Sequence, residues 1–474
     1  MIPMTLAEVA RVVGGGLADA EDGAATVTAP AFVDSRAPEL GGLFVAIPGE
    51  RVDGHAFAVA AVEAGACGVL GARPTGVPTV VVSDPVVSLG RLARHVVDEL
   101  SPTVLALTGS QGKTGTKDYL AQLLAAGGAT VATAGNRNNE IGVPLTVLHA
   151  TSETRFLVVE MGARGVGHIA ELCSVAPPVV AAVLNVGTAH IGEFGSREAI
   201  ARTKGEIVES LPEHGTAVLN ADDALVAAMA SRTSGRVVTF GRAGDVTWRG
   251  LELDELGRAS FELGHDDVWA PVRLLEAGAH QVPNAVAAAA MAAAAGLGWD
   301  EVVDALGRAR SLSPWRMALH ERADGLVVIN DAYNANPASM SAALDALAAI
   351  GERGRRRTVA VLGEMLELGD SSVADHARVG AHAASLGIDV LVTVGEAAEA
   401  IADGARRTPG WSGEAVPSAG REQATDWLRH NVVARDVLLV KASRGAALEH
   451  LADELAGEPA GEQAEDQEGG NRSR

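Results

Sequence analysis

The sequence predicts an α/β protein built from three domains, and two observations support this prediction. Short apolar runs typical of buried strands alternate with helix-like stretches along most of the 474 residues, which favours parallel sheets covered by helices. The chain is also 47% hydrophobic, which is enough for several cores, and a prior of roughly 150 residues per domain gives about three domains. We expect these domains to span residues 1–98, 99–313 and 314–456.

The first predicted domain is small and mixes short strands with helices, as a compact substrate-binding domain would. The expected elements are helices at 5–13, 56–64 and 87–99, strands at 68–70 and 79–82, and alternating strands and turns over 33–55. Asp34, Ser35 and Arg36 follow one of these strands, and by themselves three polar residues at such a place indicate a turn.

The second predicted domain has the pattern of a parallel, doubly wound sheet. Its strand candidates are 103–107, 156–160, 179–185 and 217–220, with helical stretches between them. In such sheets ligands bind at the carboxyl ends of the strands. Hairpins are expected next, over 236–272, followed by an alanine-rich helix at 283–295 that ends at Gly296.

The third predicted domain is a second, Rossmann-like α/β sheet. Its strand candidates are 326–330, 358–362, 390–394 and 436–440. Residues 457–474 are rich in Glu, Gly, Gln and Asp, and this composition predicts a disordered acidic tail.

A glycine-rich loop follows the first strand of the second domain. It reads T-G-S-Q-G-K-T over residues 108–114 and is here called the phosphate loop. A strand, a glycine loop and a helix in succession let backbone N–H groups approach phosphate oxygens at a helix N-terminus. Lys113 can reach the terminal phosphates, and Thr114 can bind Mg²⁺. Leu107 stands where the longer phosphate-loop pattern has glycine, and the alternative reading is a tight turn with an incidental lysine.

The overall charge excludes some functions. A net charge of −22 and a pI near 5.0 argue against general nucleic-acid binding, although a local nest of N–H groups can still bind phosphate. The two cysteines, Cys67 and Cys173, lie in apolar sequence and are expected to be buried. No basic and apolar leader and no run long enough to cross a bilayer is visible, so a cytoplasmic enzyme without membrane insertion is expected.

Lysine is scarce in this chain. Only four of the 38 basic Lys and Arg side chains are lysines, at positions 113, 117, 204 and 441. Since arginine supplies ordinary positive charge here, a retained lysine can mark chemistry that a guanidinium cannot perform, such as that of a neutral amine. Lys117 is expected to lie on a helix surface, where its retention needs no chemical reason.

Further polar residues follow the predicted strands of the second domain. Glu160 ends an apolar strand, where its carboxylate suits Mg²⁺, although an exposed strand-end acid would look the same. His190 lies in the glycine-containing string that follows strand 179–185, and Lys204 lies on a helical stretch beside Arg202. For Lys204 a surface position and a chemical role are both open at this point.

Taken together, these strings resemble the Mur ligase family, and the resemblance extends from Asp34 to about Glu449. The strings that carry it are T-G-S-Q-G-K-T (108–114), G-N-R-N-N-E-I-G-V-P-L-T (135–146), V-V-E-M-G-A-R (158–164), N-V-G-T-A-H (185–190), K-G-E-I (204–207), N-D-A-Y-N-A-N-P-A-S-M (330–340) and L-G-E-M-L-E-L-G (362–369). The last two strings are most similar to members that add D-alanyl-D-alanine to a UDP-N-acetylmuramoyl tripeptide.

The resemblance implies ATP-dependent formation of a peptide bond through an acyl phosphate, with ATP and Mg²⁺ as cofactors. It implies catalytic roles for Lys113, Lys204 and His190, and a carbamylated amine (N6-carboxylysine) at Lys204. The implied ATP-binding residues are Gly109, Ser110, Gln111, Gly112, Lys113, Thr114, Asn284, Arg316 and Asp331. The implied metal ligands are Thr114, Glu160, His190 and Lys204.

The resemblance also implies where the substrates bind, in a protein expected to be a monomer. The implied residues are Asp34, Ser35 and Arg36 for the uridine nucleotide, Asn138, Asn139 and Glu140 for the muramyl peptide, and Asn334, Asn336 and Ser339 for D-alanyl-D-alanine. Gln281 and Ala442 depart from the family pattern, which expects Asn and Gly. Another Mur-type ligase, such as the one that adds the third residue, or a phosphate-loop NTPase switch without an amino-acid site, are the alternatives.

Overall fold

A computed structural model provides the coordinates, and it describes residues 1–20, 23–49, 52–187, 196–366 and 368–457. His190 and nearly all of the predicted acidic tail therefore lie outside the described residues. We number strands and helices in chain order.

The N-terminal region consists of short strands and three packed helices within the described residues. These are β1 Met4–Thr5, α1 Leu6–Val13, β2 Gly16–Ala18, β3 Thr26–Val27, β4 Ala31–Phe32, β5 Leu43–Val45, a 3₁₀ turn Gly54–Phe57, α2 Ala58–Glu63, β6 Gly68–Gly71, β7 Thr79–Val81 and α3 Pro85–Leu100. The main sheet has the order β2-β7-β6-β5-β4, antiparallel only between β2 and β7, and β1 pairs with β3. Helix α1 begins after Thr5, whose hydroxyl accepts the Glu8 N–H at 3.2 Å, and it ends at Gly14 with φ 72°.

The central region is built on a long, mostly parallel sheet. Its elements are β8 Thr103–Thr108, α4 Lys113–Gly127, β9 Thr130–Ala132, α5 Gly142–Val147, β10 Phe156–Glu160, α6 His168–Val175, β11 Val180–Val183, α7 Arg197–Glu209, β12 Thr216–Asn220, α8 Ala224–Ala227, a 3₁₀ turn Ala228–Arg232, β13 Arg236–Phe240, β14 Val246–Leu253, β15 Arg258–His265, β16 Val268–Ala277, α9 Gln281–Ala294 and α10 Trp299–Leu306. The order is β16-β15-β14-β13-β12-β11-β8-β10-β9. Only β14–β16 are antiparallel, so the predicted hairpins form from β14 onward, whereas β13, at the start of the predicted hairpin range, pairs parallel with β12 and β14.

Strand β8 shows how this sheet is buried on both faces. Leu105 and Leu107 pack with the alanine-rich helix α9, while Val104 and Ala106 face the opposite core, which includes residues of α3. Because successive side chains of a strand alternate between faces, an apolar residue at every position is what a doubly covered sheet requires.

The C-terminal region carries a further, mostly parallel sheet. Its elements are β17 Ala318–Glu321, β18 Val327–Asn330, α11 Pro337–Gly354, β19 Thr358–Leu362, a 3₁₀ turn Gly369–Ser371, α12 Ser372–Ser385, β20 Val390–Val394, a 3₁₀ turn Glu396–Ala398, α13 Glu399–Arg406, β21 Glu414–Ser418, α14 Arg421–Asn431, β22 Val437–Lys441, a 3₁₀ turn Arg444–Ala446 and α15 Glu449–Ala456. The order is β17-β18-β22-β19-β20-β21, with only β17 antiparallel to its neighbour.

The predicted α/β class and the parallel central sheet are confirmed. In the described ranges, no helix is long and apolar enough to cross a membrane. Cys173 is buried as predicted, but Cys67 is only half-buried. The prediction for Lys117 is wrong: its side chain is buried, and its amine is satisfied by the charged and polar partners described below.

Candidate active site

The carboxyl ends of three neighbouring parallel strands form the candidate site. Strand β8 lies between β11 and β10, so the phosphate loop, Asn185 and Glu160 come together at one edge of the sheet. This is the edge at which the alternation of strands and helices predicts a ligand site.

Asn185 holds the phosphate loop in place. Its side-chain oxygen accepts the backbone N–H groups of Ser110 and Gln111 at 3.0 and 2.9 Å, and its side-chain nitrogen donates to the Gln111 carbonyl at 3.1 Å. The Gly187 N–H donates to the Ser110 hydroxyl at 2.9 Å. Asn185 belongs to the N-V-G-T-A-H string, but no role was predicted for it; its position directly after a buried strand was the available signal.

Gly112 and Asn284 lie against each other, and this contact requires glycine. Gly112 has φ 78°, and a Cβ built on it would overlap the side-chain oxygen of Asn284. Asn284 also donates to Gln281 Oε1 at 3.1 Å. The departure at Gln281 is therefore accommodated by a direct bond to the predicted ATP-binding residue.

The Lys113 amine lies at the start of α4, partly buried. It donates to the Gly109 carbonyl at 2.8 Å, so it folds back over the phosphate loop. Burial lowers the pKa of Lys113; the nearby Glu160 carboxylate raises it and the Arg316 guanidinium lowers it further. Arg316 belongs to the C-terminal region, and it therefore lies close enough to the phosphate loop of the central region for its charge to act on Lys113.

Glu160 is the centre of a buried cluster of oxygen atoms. One carboxylate oxygen accepts the Thr114 hydroxyl at 3.0 Å, and the other accepts the Asn138 amide at 2.7 Å. The Glu160 N–H donates to the Thr133 hydroxyl at 3.1 Å, which fixes the end of β10. Within the described residues no group of three His, Cys, Asp or Glu is arranged for a metal, so a cation here would draw on hydroxyl and amide oxygens as well.

Lys204 lies on α7 and is buried, which rules out the surface position, while its chemical role stays a prediction. Burial lowers the pKa of its amine well below 10.5, and the Lys113 charge lowers it further, while Glu160 raises it. Lys204 is thus electrostatically coupled to the same lysine and carboxylate that form the candidate site.

The helical turn that carries Lys204 is fixed from two sides. Glu206 accepts the N–H groups of Gly167 and Ala170 at 2.7 and 3.1 Å and so ties α7 to the start of α6. Arg232 crosses over Gly205, where a Cβ would overlap its guanidinium, and donates to main-chain carbonyls of α7. Neither Glu206 nor Arg232 was singled out from the sequence.

Arg316 and Asp331 of the C-terminal region are held differently. The Arg316 guanidinium stacks 4.2 Å from the ring centre of Tyr333, and its buried Nε has no hydrogen-bond partner among the described residues. Asp331 is paired with the buried Lys441 at 2.6 Å and accepts the Met317 N–H at 3.1 Å. Arg316 therefore retains a free donor, whereas the Asp331 carboxylate is engaged.

The predicted nucleotide and muramyl residues form local turns and caps. The Arg36 N–H donates to the Asp34 carboxylate at 3.0 Å, which closes the turn expected there, and the Arg36 guanidinium pairs with the same carboxylate through two bonds of 2.9 and 2.8 Å. The pKa of Asp34 is lowered, mainly by Arg36 and in smaller part by Arg137 of the central region. Asn139 accepts N–H groups at the start of α5, and Glu140 is exposed.

The residues predicted for the dipeptide lie at the start of α11. Asn336 and Ser339 bond to each other as a capping box, with the Ser339 N–H donating to Asn336 at 2.9 Å. Asn334 is exposed, and its carbonyl accepts from Lys441 at 2.9 Å. Their arrangement alone would be explained by helix capping.

Comparison with known families covers each region. Residues 32–98 match the family described as "Mur ligase family, catalytic domain", residues 107–292 match "Mur ligase middle domain", and residues 315–444 match "Mur ligase, glutamate ligase domain".

Individual relatives match over almost the whole chain. The UDP-N-acetylmuramoyl-tripeptide--D-alanyl-D-alanine ligase of Mycobacterium tuberculosis (strain ATCC 25618 / H37Rv) is 45% identical over 97% of this chain and 98% of its own, and that of Escherichia coli (strain K12) is 36% identical over 96% and 99%. A crystal structure of MurF from Acinetobacter baumannii is 33% identical, covers 96% of this chain and 99% of its own, and has a TM-score of 0.85. MurF from Thermotoga maritima in complex with ADP is 31% identical over 91% and 98%, with a TM-score of 0.77. The chain therefore belongs to the Mur ligase family and, within it, groups with the UDP-N-acetylmuramoyl-tripeptide--D-alanyl-D-alanine ligases.

Proposed function

We propose that this protein is an ATP-dependent ligase that joins D-alanyl-D-alanine to a UDP-N-acetylmuramoyl tripeptide in peptidoglycan precursor synthesis. The observation that carries the proposal is the meeting of Lys113, Thr114 and Glu160 at one sheet edge, in a chain similar over its full length to ligases of this name. The T. maritima relative holds ADP, which supports ATP as the nucleotide.

The reaction has two steps. A carboxylate oxygen of the tripeptide attacks the γ-phosphorus of ATP, which forms an acyl phosphate and releases ADP. The amine of D-alanyl-D-alanine then attacks the acyl carbon, phosphate leaves, and the new amide loses a proton. Both steps develop negative charge on phosphate oxygens, so the main tasks of the protein are charge neutralisation and positioning.

Three parts of the chain are proposed to receive ATP. Residues 109–112 cradle its phosphates, and Lys113 neutralises the transferring group. Asn284, which packs on Gly112, contacts the adenine side. Arg316, whose Nε is free for a further acceptor, and Asp331 complete the nucleotide site from the C-terminal region.

The buried oxygen cluster fits Mg²⁺, which supplies a positive charge that screens phosphate oxygens when bound. Thr114 and Glu160 would hold it, and we propose His190 and Lys204 as further ligands. Lys204 suits this role only as a carbamate, since a carbamate converts the cationic side chain into an anion. Its burial and lowered pKa support the neutral amine that carbamate formation needs.

The other predicted residues are assigned to the two substrates. Domain 1–98 binds the uridine nucleotide through Asp34, Ser35 and Arg36, and Asn138, Asn139 and Glu140 of domain 99–313 bind the muramyl peptide. The influence of Arg137 on Asp34 supports a shared site for these two groups. Domain 314–456 binds D-alanyl-D-alanine through Asn334, Asn336 and Ser339. We propose a cytoplasmic monomer that binds no nucleic acid.

The test is phosphate release from ATP, measured against a panel of UDP-N-acetylmuramoyl peptides with and without D-alanyl-D-alanine. Release is expected only with a tripeptide and the dipeptide together, and mass spectrometry should detect the UDP-linked pentapeptide. Turnover with a UDP-linked dipeptide and a single amino acid would favour another Mur-type ligase. Hydrolysis of ATP at the same rate with and without both substrates would contradict the ligase proposal.

A further inference from the structure

Asp118 binds the segment that joins the central and C-terminal regions. One of its oxygens accepts the N–H groups of Leu312 and Ser313 at 3.1 and 2.9 Å, and the other accepts the Ser313 hydroxyl at 3.1 Å. Asp118 is only 3% exposed, and it is paired with the equally buried Lys117 at 2.7 Å. Lys117 also donates to Ser313 Oγ at 3.2 Å and to the Thr133 carbonyl at 2.8 Å.

The two residues before Leu312 are bound in the same way. Gln122 accepts the Arg310 N–H at 3.0 Å and donates to the Arg310 carbonyl at 2.7 Å. Glu276 accepts the Ser311 N–H at 2.7 Å. Four successive backbone amides, 310–313, therefore donate to side chains of the central region, and we call this arrangement the linker clamp.

The linker clamp and the phosphate loop share one helix. Lys113 and Thr114 form the first turn of α4, and Lys117, Asp118 and Gln122 follow on the same helix. Because an α-helix is stiff over a few turns, residues 310–313 are fixed relative to the atoms that would hold ATP.

Directly after the linker clamp, two residues have left-handed backbone conformations. Trp315 and Met317 have φ values of 58° and 53°, in the left-handed region that costs a residue with a side chain about 1 kcal/mol or more. Both are tied to the C-terminal region, because the Tyr333 N–H donates to the Trp315 carbonyl at 3.1 Å and the Met317 N–H donates to Asp331. Arg316 lies between them.

We propose that Asp118 and Lys117 are positioning residues, which hold residues 310–313 on the phosphate-loop helix. They thereby confine any rotation of the C-terminal region relative to the central region to residues 314–317. Arg316 lies within this short pivot, so its guanidinium, whose charge acts on Lys113 in this structure, stays near the phosphate loop when the C-terminal region rotates. This inference rests on the proposed ligase function, since the pivot matters only when ATP is bound between the two regions. Hinge residues generally absorb φ and ψ changes over a few positions.

Amide hydrogen exchange on the unaltered full chain tests the position of the pivot. It would be measured alone and with a non-hydrolysable ATP analogue plus the UDP-linked tripeptide. The amides of Ser311, Leu312 and Ser313 are expected to exchange slowly and equally in both states, while those of Trp315, Arg316 and Met317 change. A change at residues 311–313 as large as that at 315–317 would overturn the proposal.

Kinetics of Asp118→Asn test the positioning role. The amide keeps the size of the side chain but cannot accept all of the bonds, so we expect kcat for ligation to fall at least about tenfold. Affinity for the UDP-linked tripeptide, measured without ATP, should stay as in the unaltered protein. Ser313→Ala removes the hydroxyl alone and should give a smaller loss of kcat than Asp118→Asn.

Asp436→Asn is the matched control. Asp436 is buried to a similar extent and accepts the Val433 N–H at 3.0 Å, but it lies in the C-terminal region before β22. It should leave kcat unchanged. Wild-type kcat in Asp118→Asn, or an equal loss in both variants, would refute the positioning role. If the unaltered protein does not ligate, the proposed function fails, whereas the exchange experiment still reports on the clamp.

Discussion

The Thr114 hydroxyl donates to the Glu160 carboxylate across 3.0 Å, although the two residues are 46 positions apart in the chain. One lies in the first turn of α4 and the other ends the neighbouring strand β10. Glu160 is 1% exposed and Thr114 is 4% exposed, so the bond is shielded from bulk water. A hydroxyl that donates to a buried carboxylate leaves its lone pairs available to a cation.

Two substitutions of Thr114 should distinguish the contribution of its hydroxyl oxygen from that of its branched shape. Thr114→Val keeps the branched shape but removes the hydroxyl, and we expect turnover to fall about 100-fold, with a higher Mg²⁺ requirement. Thr114→Ser keeps the oxygen and should lose little. The measurement is phosphate release over a Mg²⁺ titration, and equal turnover of the two variants would show that the hydroxyl binds no metal.

Removal of the Lys113 amine should abolish ligation without unfolding the protein. Lys113→Ala removes the charge that meets the transferring phosphate, and a loss of about 100-fold or more in kcat is expected. Since the amine makes only one bond within the described residues, to the Gly109 carbonyl, the thermal midpoint should change little. Near-normal turnover would mean that the loop is not the ATP site.

Substitutions at Lys204 should distinguish a carbamate from a simple cation. Lys204→Arg keeps a cation but places it where we propose a metal-directed anion, so it should be at least as damaging as Lys204→Ala. Short carboxylates added to the assay should partly restore Lys204→Ala by replacing the carbamate. They should not restore Lys204→Arg, whose side chain fills the space, and a fully active Lys204→Arg would refute the carbamate.

The carbamate also predicts a pH and CO₂ dependence. Burial lowers the pKa of the Lys204 amine well below 10.5, so the neutral form grows as the pH rises through this lowered value. Only the neutral amine reacts with CO₂, and activity should therefore fall on the acid side. In CO₂-depleted buffer at mildly alkaline pH, turnover should drop and recover with bicarbonate; identical rates in both buffers would count against it.

Gly205→Ala should destabilise the protein when Arg232 is present and stabilise it when the Arg232 side chain has been removed. In the unaltered protein Gly205→Ala pushes the guanidinium off the Ala201 and Arg202 carbonyls, and the thermal midpoint and turnover should both fall. In an Arg232→Ala background the three atoms nearest to the added Cβ are gone, and the better helix propensity of alanine should stabilise the fold by about 1 kcal/mol. Thermal unfolding of the four proteins in this double-mutant cycle checks the reversal, and the same sign in both backgrounds would refute it.

Features of the site that depend on adjacent residues were predicted better than features that depend on residues far apart in the chain. The phosphate loop and the strand end at Glu160 could be read from the sequence because each depends on adjacent residues. The burial of Lys117 could not, since its partner Ser313 lies 196 positions away and helical periodicity does not reveal it. The edge strands β9 and β17 were missed because they are short and only partly buried. His190 lies outside the described residues, and its role stays a prediction.

The burial of the lysines affects how the protein can be labelled. All four lie in the described part of the chain, where Lys117, Lys204 and Lys441 are buried and Lys113 is partly so. A reagent that acylates amines therefore meets no lysine on the outer surface, and among these side chains Lys113 is the most accessible. Acylation of lysine, measured separately from acylation of the Met1 α-amine, is therefore expected to report how much of the phosphate loop is occupied by nucleotide.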